Sequence, residues 1–218
     1  MKNVILLSAC FCLVSFTGCS QSSNQVNNKA QADKIVGGGC EGCEAIYACP
    51  VPFEKLNWVD TLPDFNDAGP KLVISGVIYK RDGKTPAPDV VLYVYHTDQS
   101  GNYVNKYNEP GYAGHNGYIK GWMRTNKNGE YKFYTLMPGH YPGRQAPAHI
   151  HPVIKEPGVS EYWIDEYLFN DDPVLTAEEK RKQDKHGGSG ILSLEKKDGV
   201  LYGQRNIILG LNVPNYPD

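Results

Sequence analysis

Leu-Val-Ile-Ser-Gly-Val-Ile-Tyr at residues 72 to 79, then Lys-Arg-Asp-Gly-Lys at 80 to 84 and Val-Val-Leu-Tyr-Val-Tyr at 90 to 95, reads as strand, turn, strand. β-Branched and aromatic side chains fill both runs, and the Asp-Gly pair suits a tight turn. Working outward, Asn128-Gly129 predicts a hairpin into a strand at Glu130 to Tyr134. Further strands are expected at Ala148 to Ile154, Tyr162 to Phe169, Gly190 to Glu195 and Gln204 to Leu211. So many short strands predict an all-β fold, a two-sheet β-sandwich. One short helix is expected in the C-terminal half, with Thr176-Ala177-Glu178-Glu179 as capping box, Gly187-Gly188 as stop, and Glu178 to Lys185 as a solvated charged face.

Lys2 and the apolar run Val4 to Phe16, followed by Thr17-Gly18-Cys19-Ser20, read as an export signal over residues 1–18. The run is shorter than the roughly 20 apolar residues of a membrane span. Cys19 is then expected to carry lipid, anchoring the protein at the bacterial cell envelope; an ordinary secretory signal is the alternative reading. Residues 19–39 are expected to form a flexible tether, and 40–218 one domain large enough for a single core. Beyond the anchor, Cys40, Cys43 and Cys49 remain, an odd number from which one disulfide is expected with its pairing open. Cys40-Glu41-Gly42-Cys43 is read as a structural staple, since no fourth ligand for zinc follows. A net charge of −2 and the lack of any Lys/Arg-rich run give no electrostatic basis for holding nucleic acid. The oligomeric state is left open.

Residues 139 to 151, Gly-His-Tyr-Pro-Gly-Arg-Gln-Ala-Pro-Ala-His-Ile-His, carry the chemistry. Side chains two apart on a strand share a face, so His149 and His151 can offer two imidazoles to one metal. Imidazole fits several first-row metals, whereas a phenol (pKa about 10) is held ionised by a high-charge cation such as Fe(III). His96, His115, His140 and His186 are read as structural, and Tyr107, Tyr112, Tyr118, Tyr131 and Tyr134 as sheet-face or pocket-wall residues. Pro152 lacks a backbone donor, which predicts an edge, a bulge or an early strand end.

Four pieces together resemble the intradiol ring-cleavage dioxygenases, the family of catechol 1,2-dioxygenase and protocatechuate 3,4-dioxygenase. Tyr95 to Tyr103 resembles the family's Trp-x-x-x-x-x-Gly-x-Tyr segment, with Tyr95 in place of the tryptophan. Arg124 to Gly139 resembles its Arg-x-x-Thr-Asp-x-x-Gly-x-Tyr-x-Phe run. Tyr141 follows 38 residues after Tyr103, and Pro147-Ala148-His149-Ile150-His151 matches the Pro-Ala-His-x-His pair. The resemblance implies the family's catalytic β-sandwich and an Fe(III) cofactor on Tyr103, Tyr141, His149 and His151. It also implies a catechol-type substrate opened by O2 between its hydroxyl-bearing carbons to a muconate-type dicarboxylate, with either tyrosine able to leave the metal and take a proton. Two departures stand out: Ala146 occupies the family's arginine position, with Arg144 nearest and Arg124 a second candidate for balancing substrate charge, and Glu166 stands where a glutamine aligns. The glycine-rich stretch 111–118 is read as a flexible wall or lid. The competing reading is a non-enzymatic β-sandwich lipoprotein that binds a ligand or partner, which gives no reason to gather Tyr141, His149 and His151.

Overall fold

The computed structural model describes residues 35–217; the expected signal, Cys19 and most of the expected tether lie outside them. The elements are β1 (Val59–Thr61), β2 (Lys71–Tyr79), β3 (Val91–Tyr95), α1 (Gly111–His115), β4 (Lys120–Arg124), β5 (Glu130–Leu136), β6 (His149–Lys155), β7 (Tyr162–Trp163), β8 (Tyr167–Phe169), α2 (Ala177–Arg181), β9 (Ile191–Leu192), β10 (Glu195–Lys197), β11 (Val200–Gln204) and β12 (Ile207–Ile208). One sheet runs β1-β5-β2-β11-β10 with β12 also beside β2; the other runs β4-β3-β6-β8-β9 with β7 also beside β6. This is the expected two-sheet sandwich, and Leu72, Ile74 and Phe133 from one sheet meet Leu92, Val94, Ile150 and Ile154 from the other in its interior.

The unbroken apolar run of β3 has a physical cause, because both of its faces are covered. Leu92 and Val94 point into the sandwich, while Val91 and Tyr93 pack outward with Trp122 and Val153 beneath a 3-10 turn at Cys43–Ala48. Trp122 Nε1 donates to the Ile46 carbonyl at 2.8 Å and pins that turn to the sheet. Cys40 and Cys43 are disulfide-bonded and Cys49 is free, which settles the open pairing in favour of a local staple. The tail of the expected tether, residues 35–39, is fastened to the C-terminal stretch: Gly37 N–H donates to Pro214 O at 2.8 Å and Asn215 Nδ2 to Ile35 O at 3.1 Å.

Several expectations are corrected. Asn128-Gly129 does not close a hairpin, because β4 and β5 lie in different sheets; the turn is a corner, with the Asn126 side chain accepting from Asn128 N and Glu130 N. The strand expected at Tyr162 to Phe169 is split into β7 and β8, and that expected at Gln204 to Leu211 is replaced by β11 and β12. The ladder breaks at Arg205, which is buried with its guanidinium 4.7 Å over the Tyr167 ring and its Nη1 donating to Asp165 O. The Thr176 capping box forms as expected, yet α2 ends at Arg181, well before Gly187, since it buries no side chain that would extend it. Pro152 neither ends β6 nor lies on an edge. It pairs across from Val94, and on the other side it falls with His151 in the two-residue gap between the partners of β8 (His149, Ile150) and of β7 (Val153, Ile154), where a missing donor is tolerated.

Candidate metal centre

His149 and His151 stand on the outer face of β6, as period-two geometry requires, while Ile150 is buried in the sandwich. Register places Tyr95 of β3 directly opposite His151, and the two rings stack at 4.7 Å with an interplanar angle of 18°. The chain leaving β3 brings Tyr103 over this face, and the chain leaving β5 brings Tyr141. Four donor atoms then converge. Tyr103 Oη lies 2.8 Å from Tyr141 Oη, which lies 3.0 Å from His149 Nε2 and 3.5 Å from His151 Nε2; the two imidazole nitrogens are 3.1 Å apart.

Loop contacts hold the tyrosines there, among them Thr97 Oγ1 donating to Gly139 O and Gly139 N donating to Asp98 O. Asp172 clasps both ends of the Tyr141 loop, accepting from Ala148 N at 2.9 Å and from His140 Nε2 at 2.9 Å. Burial alone would raise the Asp172 carboxyl, but donors from Val174 N, Ala148 N and His140 outweigh it and hold its pKa below the usual value. Gly101, at φ +79°, lets the Tyr103 loop press against the His140 carbonyl, where any Cβ would collide.

The donor set fits a cation. His149 Nδ1 faces the Pro147 carbonyl at 2.7 Å, so it carries the hydrogen and leaves Nε2 as a lone pair. His151 Nδ1 lies 3.7 Å from Glu166 Oε1, which favours the same tautomer. Two lone pairs thus face each other at 3.1 Å, an arrangement that repels unless something positive lies near both. Burial lowers His151 to about 3, keeping it neutral, and burial together with the bond to Tyr141 drives Tyr103 well above the ordinary phenol value. Both effects call for an external charge to ionise the phenols. Among the described residues no three His, Cys, Asp or Glu side chains cluster for a metal, so the tyrosines are needed to complete the set.

Clefts open on both sides of the histidines. One of about 330 Å³ reaches His151 past Cys40, Glu41, Tyr95, Trp163 and Glu166. The other, about 230 Å³, reaches His149 past Ala146, Glu166, Leu168, Leu175 and Gln183. Of the expected charge-balancing arginines, neither lines these clefts: Arg144 is exposed on its loop, and Arg124 bonds Asp89 at 2.7 Å opposite Val91, four residues along β3 from Tyr95. The glycine-rich stretch is no free lid, because its first half forms α1, where Tyr112 packs on Gly42 and bonds Glu41 at 3.1 Å. Sequence reasoning missed Tyr95 as a ring partner and Asp172 as a clasp; the Asp-Pro pair at 172 to 173 was the available signal for the latter.

The family model described as "Dioxygenase" matches residues 54–183, which hold all four donors. The chain belongs to the intradiol ring-cleavage dioxygenase family. It is 35% identical over 88 residues to catechol 1,2-dioxygenase 1 of Acinetobacter lwoffii, a match covering 40% of this chain and 27% of that protein's length. The dioxygenase domain of a carbohydrate-binding fusion from Streptomyces sp. SirexAA-E superposes with a TM-score of 0.53 at 21% identity, over 74% of this chain and 94% of that one. An intradiol ring-cleavage dioxygenase from Tetranychus urticae gives 0.51 at 21%, over 73% and 89%. At such identities the likeness shows the fold alone. Within this dioxygenase fold the donor tetrad sits on β6 and the two loops that follow β3 and β5.

Proposed function

We propose that this chain is a non-haem Fe(III) dioxygenase that opens a catechol-type ring between its hydroxyl-bearing carbons to give a muconate-type dicarboxylate. The observation that carries the reading is the convergence on Tyr141 Oη of a second phenol oxygen at 2.8 Å and of two imidazole nitrogens at 3.0 and 3.5 Å, themselves 3.1 Å apart. Bound among them, Fe(III) would supply a Lewis-acidic, electron-accepting centre for the two catechol oxygens. One C–C bond of the ring breaks, each atom of O2 enters one of the two new carboxyl groups, and no other oxidant is consumed.

The chain's own residues do the rest. Tyr103 and Tyr141 hold their phenol oxygens 2.8 Å apart, so a proton leaving a catechol hydroxyl has a phenolate acceptor in either of them. Pro147 O and Glu166 fix the two imidazoles, and the Tyr95 ring stacks on one face of His151. In the same proposal, lipid on Cys19 holds the enzyme at the bacterial cell envelope, and loss of fatty-acid labelling in Cys19→Ala checks that part.

The test is a visible spectrum of the iron-loaded protein before and after catechol is added without O2. A broad phenolate-to-iron band that moves to longer wavelength supports the site and an open bidentate position. A colourless protein after stoichiometric loading sinks the reading in favour of a ligand-binding sandwich.

A further inference from the structure

The two clefts at the tetrad have walls of one charge sign. Glu41 and Glu166 line the larger, Glu166 and Glu179 the smaller, and neither has a lysine or arginine among its lining residues. The larger cleft adds flat π faces: Tyr95 stacked on His151, and Trp163, itself backed by the His186 ring at 4.5 Å. In the smaller, the buried Oε1 of Gln183 meets no donor from the protein. The carboxylates and π faces of the larger cleft are the surroundings that an ammonium group seeks, through charge-assisted hydrogen bonds and cation–π contact. A carboxylate on the ring would meet the same walls with no counter-ion, and its desolvation would go uncompensated.

We infer that the substrate is a catechol bearing an ammonium-tipped side chain, with Glu41 and Glu166 as the residues that select it. The inference rests on the ring-cleavage reading above and narrows it. The ammonium group is a spectator: bond breaking and the fate of O2 are those already given.

The experiment measures kcat/KM for ring opening by the full-length, iron-loaded protein on 4-ethylcatechol, 4-(2-aminoethyl)catechol and 3,4-dihydroxyphenylacetate, which carry short side chains at the same ring position and differ in charge. The expected order is ammonium, then ethyl, then carboxylate. In Glu41→Gln the ammonium-to-ethyl ratio should fall by about fivefold, the scale of one partly exposed charge pair. Glu41 is exposed, and the glutamine can still accept from Tyr112, so the variant should fold. Equal use of the ethyl and ammonium congeners, preference for the carboxylate, or a ratio unmoved in both Glu41→Gln and Glu166→Gln overturns the charge reading while ring cleavage stands. Failure to open any of the three congeners overturns the proposed function, and this inference with it.

Discussion

Tyr141 touches all three other donors of the tetrad, whereas Tyr103 touches only Tyr141 among them. Replacing Tyr141 by Phe removes the central oxygen and is expected to lower iron affinity by more than the roughly 100-fold that a supporting residue costs, with loss of the visible band and of turnover. Iron content by elemental analysis checks it; unchanged iron and rate would refute the assignment. Glu166→Gln keeps an acceptor near His151 Nδ1 but drops the charge, and should weaken iron binding about tenfold by competition with a chelator. The histidine pair was legible in sequence because a two-residue spacing on a strand has one geometric meaning, and Tyr103 and Tyr141 were legible through motif. Tyr95 and Asp172 were not. Their contacts are set by strand register and by loop closure across 32 residues between His140 and Asp172, and neither leaves a local periodicity.

At the scale of elements, the two tyrosine loops are locked to each other at Gly101. Gly101→Ala puts a Cβ into the His140 carbonyl and adds strain at positive φ, so a loss of about 2–4 kcal/mol of stability is expected, read by urea unfolding. If the protein still folds, the phenolate band should be diminished, since one loop must shift from the other. The long strands β2, β3, β5 and β6 were legible in their apolar and β-branched runs. Two others were invisible for physical reasons: β1 is only three residues, and β4 reads Lys-Gly-Trp-Met-Arg, with a glycine inside and charges at both ends. The glycine of β4 is required, because Gly121 lies against Leu62 and Asp60, leaving no room for a side chain. Likewise α1 was read as loop, since glycines at 111 and 114 oppose helix and distant contacts hold it, those of Tyr112 with Gly42 and Glu41 and that of Lys120 Nζ with the Ala113 carbonyl.

Across the whole molecule the two sheets are joined by a buried polar chain from His96, just past β3, through Thr135 of β5 to Asp64. His96 Nδ1 faces the Thr97 carbonyl at 2.7 Å and must carry hydrogen; Nε2 lies 2.6 Å from Thr135 Oγ1, which lies 2.9 Å from Asp64 Oδ1. One hydroxyl proton cannot serve both of the latter contacts, so a second resides on Asp64 or on Nε2 and the pair is net neutral. Burial lowers His96 to about 4 and raises Asp64, which puts that proton on the carboxyl. As long as Asp64 keeps that proton, the folded pair holds one and the unfolded pair, below pH 6.5, also holds one, on His96, so the pair adds little pH dependence. Asp64→Asn should fold, costing within about 1 kcal/mol, because an amide can donate as the acid does. It empties the folded state of that proton and leaves the unfolded one in place. Stability of the variant is thus expected to fall on acidification from pH 6.5 to 4 more steeply than the parent's, by up to about 1.4 kcal/mol per pH unit, in urea titrations across that range. Parallel slopes would place the proton on His96 instead.

The division of the tetrad between strand and loop has a kinetic consequence. Two donors ride on β6, paired with β3 on one side and with β7 and β8 on the other, so they separate only when the sheet itself opens. The other two ride on loops held outside the sheet ladders, by the Gly101 contact, the Asp172 clasp and the Thr97 and Asp98 bonds to Gly139, the kind of segment that opens at far lower free energy than a core strand. Exchange of a bound ion would then proceed through loop opening on a folded sandwich, with the histidine pair acting as a fixed landing place to which the tyrosines return.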